Sequence, residues 1–296
     1  MKILLTGGAG YIGSAVAEAL SFIEEIEKIS IYDNLSAKKY GLFQSKKLQK
    51  LSFVEGDILD SRKLKKEIKS ADVVFHLAGI SAADSHTLEQ INHWGTSEVL
   101  NAIEESDVQK LIYLSSTHVY GIGKGLNADS DISPLTDYAH SVTRAENQIK
   151  RLWDKKHCFI VRSADVFGFS SGIRYNKWLN KSIFQAQFKG RIQIEGNGRN
   201  EKSFVYINQL VEALCSLLKH NGPSEIYTLT EHNMQVLDVV EALQEVYPGL
   251  EFIFVNPHLQ NPDSSVKSSE NINSLAMMKP ISLVDELHEF KSHFSF

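Results

Sequence analysis

Lys2-Ile3-Leu4-Leu5-Thr6-Gly7-Gly8-Ala9-Gly10-Tyr11-Ile12-Gly13 opens the chain with a short apolar run that breaks into glycines. Lys2–Leu5 reads as a strand and Gly13–Leu20 as a helix. Between them, Gly8, Gly10 and Gly13 satisfy G-x-G-x-x-G, while Gly7, Gly10 and Gly13 satisfy G-x-x-G-x-x-G. A pyrophosphate binds backbone N–H groups at a helix N-terminus, and only residues without Cβ let it come that close. The strand before and the helix after make a weak motif specific. The stretch predicts a dinucleotide-binding turn formed by Gly7, Gly10, Tyr11, Ile12 and Gly13.

The second strand, Lys28–Tyr32, runs into Asp33-Asn34-Leu35, which puts Asp33 twenty residues beyond Gly13. A carboxylate there accepts hydrogen bonds from the adenosine ribose 2′-OH and repels a 2′-phosphate, so NAD is favoured over NADP. An acid that merely ends a strand is the plainer alternative. Five lysines in Ser36–Lys50 (Lys38, Lys39, Lys46, Lys47, Lys50) are the opposing feature; they read most simply as a solvated insertion.

Further strands are expected at Leu51–Val54, Asp72–Leu77, Lys110–Ser115 and Cys158–Arg162. They alternate with helices at Arg62–Ile68, Leu88–Glu104 and Tyr138–Trp153. Apolar strands alternating with helices indicate an α/β protein whose parallel sheet is covered on both faces, the doubly wound Rossmann arrangement. The last third mixes strands (Ile192–Glu195, Ile226–Leu229, Glu251–Val255) with helices (Ile207–Leu218, Val236–Val246, Leu283–Phe290). The Ser/Asn-rich stretch Asn261–Asn273 reads as a loop.

Composition narrows the function. The 296 residues carry 31 Lys+Arg against 36 Asp+Glu, a net charge of −5, with 43% hydrophobic and 23% charged residues. Those proportions exclude a disordered chain, and the mild acidity argues against a nucleic-acid partner. Cys158 and Cys215 lie in apolar company and read as buried small hydrophobes, not as a disulfide framework. No stretch approaches the ~18 apolar residues of a membrane span, and the N-terminal run is too short for a signal peptide, so a cytoplasmic setting is expected. The eleven histidines show no H-E-x-x-H and no Cys/His ligand spacing, so no metal site is expected. No G-x-S-x-G elbow and no Walker lysine occur.

The sequence resembles the extended short-chain dehydrogenase/reductase family, and within it the nucleotide-sugar epimerases and dehydratases. The likeness begins with Thr6–Gly13 and Asp33-Asn34-Leu35, which is similar to the opening of UDP-glucose 4-epimerases. It continues through Gly56-Asp57-Ile58, His76-Leu77-Ala78-Gly79, Asn92, Gly95-Thr96 and Leu114–Gly121. Weaker echoes are Arg162–Gly168, Phe204–Ile207 and Lys279–Leu283. The resemblance implies an NAD-binding Rossmann domain of residues 1–168 plus about 203–230. It also implies a smaller C-terminal α/β substrate-binding domain of 169–202 and 231–296. Asp57 and Ile58 would contact the adenine, beside Asn34, and Leu77 and Ala78 would line the cofactor groove. A homodimer through the Leu88–Glu104 and Tyr138–Trp153 helices is implied too. His76 reads equally well as a satisfied core histidine.

The family's catalytic Ser/Thr, four residues before the Tyr of Val-Tyr-Gly, selects Ser116. Its Tyr-x-x-x-Lys selects Tyr138, but the position four further on is Val142. Only roughly 0.1% of a free tyrosine is ionised at pH 7. A lysine cation some 5 Å away contributes roughly 3 kcal/mol, or about two pKa units, at an effective dielectric of 20. Val142 supplies neither that charge nor the lysine's grip on the nicotinamide ribose. Arg144 and His140 project elsewhere on the helix. His118, two residues after Ser116, is the better substitute, because imidazole titrates near pH 6.5; a polar loop residue is the alternative. Related dehydratases hold an Asp-Glu pair where this chain has Thr117-His118, which disfavours ordinary dehydratase chemistry.

The substrate side departs as well. Asp165 stands where an Asn commonly binds diphosphate, and a bare carboxylate repels that group. Lys202 replaces an Arg and loses the bidentate fork. Asn208-Gln209 replaces an acidic pair. Arg174, Arg191 and Arg199 are the remaining diphosphate candidates. The leading reading is an NAD-dependent epimerase acting on a nucleotide sugar through transient hydride transfer. The alternatives are an NAD-binding pseudoenzyme or sensor without turnover, and a reductase or isomerase of a non-nucleotide substrate.

Overall fold

The structure is a computed structural model that describes residues 1–44 and 49–294; Lys46 and Lys47 of the lysine-rich segment lie outside them. In chain order the strands are β1 (Lys2–Thr6), β2 (Lys28–Asp33), β3 (Leu51–Glu55), β4 (Val73–His76), β5 (Lys110–Ser116), β6 (Gly123–Leu126) and β7 (His157–Ser163). They continue as β8 (Asp165–Phe167), β9 (Arg191–Glu195), β10 (Glu201–Tyr206), β11 (Glu225–Leu229), β12 (His232–Gln235), β13 (Glu251–Val255) and β14 (Ser264–Val266). The main sheet runs β11-β7-β5-β4-β1-β2-β3, parallel throughout.

Period-two alternation explains why both faces of that sheet are dry. Ile3 and Leu5 point into one cluster with Ile29, Ile31, Phe75, Ile112 and Phe159. Leu4 joins Val74, Leu111 and Ile160 on the other face. A strand buried on both sides must be apolar at every position. Helix α1 (Tyr11–Ser21) and the helix Ile207–Lys219 cover the first face. The second is covered by α2 (Ser61–Ile68), α4 (Thr96–Glu104) and α5 (Asp137–Ile149), with the short α3 (Ser85–Leu88) packed against α5. Lys110 stabilises the first layer in an unusual way. Its buried Nζ donates to the carbonyls of Leu217, Leu218 and His220 at the end of the helix Ile207–Lys219, where carbonyls lack the usual intrahelical partner four residues on.

The order of β1 between β2 and β4 makes a topological switch point, where sheets of this kind bind ligands beyond the strands' carboxyl ends. His76, at the end of β4, bridges Thr6 Oγ1 (2.7 Å) and Thr96 Oγ1 (2.9 Å). Burial pushes its pKa down to about 3, so it is a neutral core histidine that ties β1 and β4 to α4.

Several expectations need correction. The helix expected at Leu88–Glu104 is interrupted: Glu89–Gly95 is a π-helical turn. Asn261–Asn273 is not a continuous loop, because Ser264–Val266 forms β14 and Glu270–Leu275 is helical. Cys215 is half-buried, while Cys158 is buried as expected. Strands β6, β8, β10, β12 and β14 build a second sheet in the order β12-β10-β14-β6, with β8 also on β10. Among the described residues, no helix is long and apolar enough to cross a membrane.

Candidate active site

The glycine turn is built by steric necessity. Gly7 has φ +70°, and a Cβ on it would lie 2.6 Å from the Ala78 backbone. A Cβ on Gly13 would meet Gly7 O at 2.2 Å. Gly10 is different: its virtual Cβ approaches only Gly7 O, at 3.1 Å, so its outer side is open. Gly10 also caps α1 without any side-chain hydrogen bond. The first amides of that helix therefore face a groove with no intrahelical acceptor, which suits a pyrophosphate. Tyr11 serves the scaffold more than the ligand: its phenol donates to Gly168 O (2.8 Å) and accepts from Asn180 Nδ2 (3.2 Å).

Asp33 borders the groove with its carboxylate fixed by Ala9 N (3.0 Å) and Leu35 N (2.8 Å). Asn34 Nδ2 donates to Asp57 Oδ2 (2.9 Å), and Leu59 N holds the other Asp57 oxygen at 2.9 Å. The π turn gives Asn92 its position. Asn92 accepts from Ile80 N and donates to Ile80 O, both at 2.9 Å, and donates to Ser141 Oγ at 3.0 Å. That clamp fixes the wall of the groove beyond Ala78.

One cavity of about 810 Å³ unites these residues. Gly7, Gly10, Tyr11, Ile12, Gly13, Asp33, Asn34, Asp57, Ile58, Leu77 and Ala78 line one end, and Ser116, Tyr138, Asp165 and Arg174 line the other. The open glycine cradle, the carboxylate at the end of β2 and the continuous groove fit NAD. Two expected site residues, His118 and Lys202, lie outside the lining. Lys202 Nζ sits over the Trp178 ring at 6.0 Å. Arg191 is engaged on the surface by Glu251 (2.5 Å), and Arg144 by Glu89 (2.8 Å).

At the catalytic end Ser116 closes β5 and caps the turn Thr117–Tyr120, accepting His118 N. That turn brings the imidazole back, so Ser116 Oγ and His118 Nδ1 share a hydrogen bond of 2.8 Å. The His118 and Tyr138 rings meet edge to face with centroids 6.0 Å apart. Partial desolvation lowers the His118 pKa; Asp165 opposes the shift, while Lys177 and Lys202 add to it. The Tyr138 phenol is pushed up by desolvation and by Asp165, with Ser116 and Arg174 opposing.

Val142 is buried in an apolar cluster with Val119, Tyr120 and Val266, with Tyr138 and Leu126 packed against it. No cation occupies that position. Desolvation favours the neutral imidazole of His118 and the neutral phenol of Tyr138.

Asp165 is a paired carboxylate, the case in which repulsion of a diphosphate is not expected. Lys177 Nζ lies 3.5 Å from Asp165 Oδ1. Desolvation alone would raise the Asp165 pKa, but Lys177, His118 and Lys202 outweigh it and hold the carboxyl below its usual range. The pocket end therefore carries Lys177 and Arg174 against one carboxylate, with the charge of Lys202 acting on it from outside the lining. Lys177 escapes sequence reasoning because it stands in an unstructured stretch with no motif around it.

Comparison with known proteins agrees with this geometry. The profile of the NAD dependent epimerase/dehydratase family matches residues 3–229. The bovine protein named dTDP-D-glucose 4,6-dehydratase is 32% identical over 260 residues, covering 82% of this chain and 72% of its own. Its mouse counterpart is 30% identical over 302 residues, covering 93% and 83%. Among solved structures, UDP-glucuronic acid 4-epimerase from Bacillus cereus, in complex with UDP-glucuronic acid and NAD, superposes with a TM-score of 0.88 at 23% identity over 100% of both chains. UDP-glucose 4-epimerase from Thermotoga maritima gives 0.87 at 21%, over 99% and 98%. At those identities the structural likeness speaks for the fold.

Proposed function

Because the chain belongs to the NAD dependent epimerase/dehydratase family, we propose that it is an NAD-dependent epimerase of a nucleotide sugar. The observation that carries this reading is the hydrogen bond between Ser116 Oγ and His118 Nδ1 beside Tyr138, at the end of the dinucleotide groove. Bound NAD supplies hydride acceptance and return at a carbinol carbon. The chain's own groups handle the rest. Ser116 holds the substrate hydroxyl, Tyr138 moves its proton, and His118 assists as the neutral base that receives it. General-base assistance of this kind contributes typically about 10²–10⁴-fold.

Lys177, Lys202 and Arg174 supply the positive potential that a sugar's diphosphate needs, and their number exceeds the one Asp165 charge beside them. The Asp-Glu pair of related dehydratases is replaced by Thr117-His118. Elimination of water needs an acid aimed at the leaving hydroxyl, and a depressed imidazole held by Ser116 is a poor acid near pH 7. This favours epimerisation over dehydration, although the bovine and mouse relatives carry dehydratase names.

The test incubates the NAD-loaded protein with UDP-, GDP- and dTDP-sugars and follows the products by NMR. Interconversion of one epimeric pair is expected. A dehydrated keto-sugar as sole product would convert the assignment to a dehydratase, and silence across the panel would support a binding protein without turnover.

A further inference from the structure

Away from the dinucleotide groove, the start of β12 and the terminal helix Leu283–Ser292 bring Glu231, His232 and Glu286 together. His232 Nε2 lies 2.7 Å from Glu286 Oε2 and 4.0 Å from Glu231 Oε2. One ligand atom from each of the three falls within 4.8 Å of the others. The side chains are only 7%, 11% and 1% exposed for Glu231, His232 and Glu286. One further contact is made by Tyr206 N, which donates to Glu231 Oε2 at 3.1 Å.

Two features separate this cluster from an ordinary buried ion pair. Glu231 Oε1 and Glu286 Oε1 are buried with no hydrogen-bond partner. Among the described residues, the only charge partner within 4.0 Å of either carboxylate is His232. Its Nε2, the atom that faces both carboxylates, is the one nitrogen donor the cluster offers to an ion. Two buried carboxyl oxygens without partners are a costly arrangement unless a proton or a cation enters.

We propose that Glu231, His232 and Glu286 form a three-ligand site for a divalent first-row cation, with Zn²⁺ as the matching probe. Ligand atoms around a tetrahedral ion at about 2.1 Å lie roughly 3.4 Å apart. The 2.7 and 4.0 Å separations here bracket that value, so small side-chain rotations suffice. One imidazole and two carboxylates form a nitrogen–oxygen donor set that suits Zn²⁺ or Mn²⁺, and three protein ligands leave a position for water.

The ion would fasten the terminal helix to the second sheet. The β10–β12 register sets His232 opposite Phe204, and Phe204 faces Asp165 across β8 and β10. The site thus stands one strand pair from the substrate end of the groove. Burial favours the protonated form of both carboxyls, and the Glu286 charge adds to this at Glu231, whereas the Glu231 contact opposes it at Glu286. Asp285 and Glu289 on the terminal helix reinforce this at Glu286, and the Tyr206 phenol faces Glu289 and Glu286 from β10. A metal must displace those protons, so its affinity rises with pH.

The test uses the full chain, untagged and stripped with a chelator, titrated with ZnCl₂ by calorimetry and with CoCl₂ by visible absorption. One equivalent of Zn²⁺ is expected, bound at least about tenfold more tightly near pH 8 than near pH 6.5. The substitutions H232Q and E286Q should each weaken binding by about tenfold or more while NAD binding is kept. Should either fail to fold, E231Q and the wild-type cobalt spectrum decide. An intense low-coordinate cobalt band supports the site, and an octahedral aqua-ion spectrum overturns it. Absence of saturable binding, with protons alone between the carboxylates, overturns the proposal, as does unchanged affinity in the folded variants.

Discussion

Arg162 on β7 and Glu146 on α5 meet inside the protein, with guanidinium NH2 2.6 Å from Glu146 Oε2 and Nε reaching both carboxylate oxygens. Their side chains are 6% and 2% exposed. Ser115, next to Ser116, donates to Glu146 Oε1, and Arg162 NH1 donates to the Tyr120 phenol at 3.0 Å. Glu146 lies about two turns along the helix from Tyr138. The pair therefore sets the helix bearing Tyr138 against the strand end bearing Ser116.

Removing one partner leaves the other charge buried and unpaired, at a cost of about 3–5 kcal/mol. E146A is expected to lower stability by that amount in urea unfolding. The paired replacement E146L/R162M should be less destabilised than either single substitution, because no charge is then stranded. Equal losses in all three would show that the ion pair does not anchor the helix.

His118 gives the second prediction its sign. A base works unprotonated, so kcat/KM should fall as pH drops through the His118 pKa, which desolvation holds below the usual histidine value of about 6.5. H118Q should remove that acid limb and reduce kcat by about 10²–10⁴-fold. A pH–rate profile that keeps its acid limb in H118Q assigns the limb to another group.

Val142 discriminates turnover from its loss. V142K introduces a charge into the cluster of Val119, Tyr120 and Val266. An enzyme adapted to His118 should lose stability and rate on this substitution. A gain in epimerase rate would instead mark a chain whose activity had lapsed with the lysine.

The sequence made the sheet readable because its central strands β1, β4 and β5 are largely apolar and buried on both faces, as Ile3, Leu4 and Leu5 illustrate. The glycine turn and Asp33 were legible for a similar reason: their conformational and charge requirements are local. The short strands β6, β8, β12 and β14 were not, since three- or four-residue pairings depend on partners remote in the chain. Lys177 lies twelve residues beyond Asp165, and only the packed structure shows that they pair. Glu231, His232 and Glu286 remained hidden for the same reason, with His232 and Glu286 54 positions apart.

That cluster also makes stability depend on pH in a particular direction. The Glu231 pKa is pushed up to about 7 and that of Glu286 to about 8, from an ordinary 4.5, with burial the largest cause of each. Between those values the folded state holds protons that the unfolded state has shed. Stability of the metal-free protein should therefore fall as pH rises from about 4.5 to about 8, and then level off. E286Q should flatten the decline in denaturant unfolding at several pH values. A decline of undiminished slope would place the titration elsewhere.

The proposed epimerisation requires a hydride to leave and return to one sugar carbon without a lysine beside the tyrosine. The direct measurement follows a nucleotide sugar deuterated at its reacting carbinol through the reaction in ordinary water. The expected product has inverted configuration at that carbon, keeps the deuterium, and forms with a primary isotope effect. Loss of the label to solvent, or its appearance on a different carbon, would contradict the account.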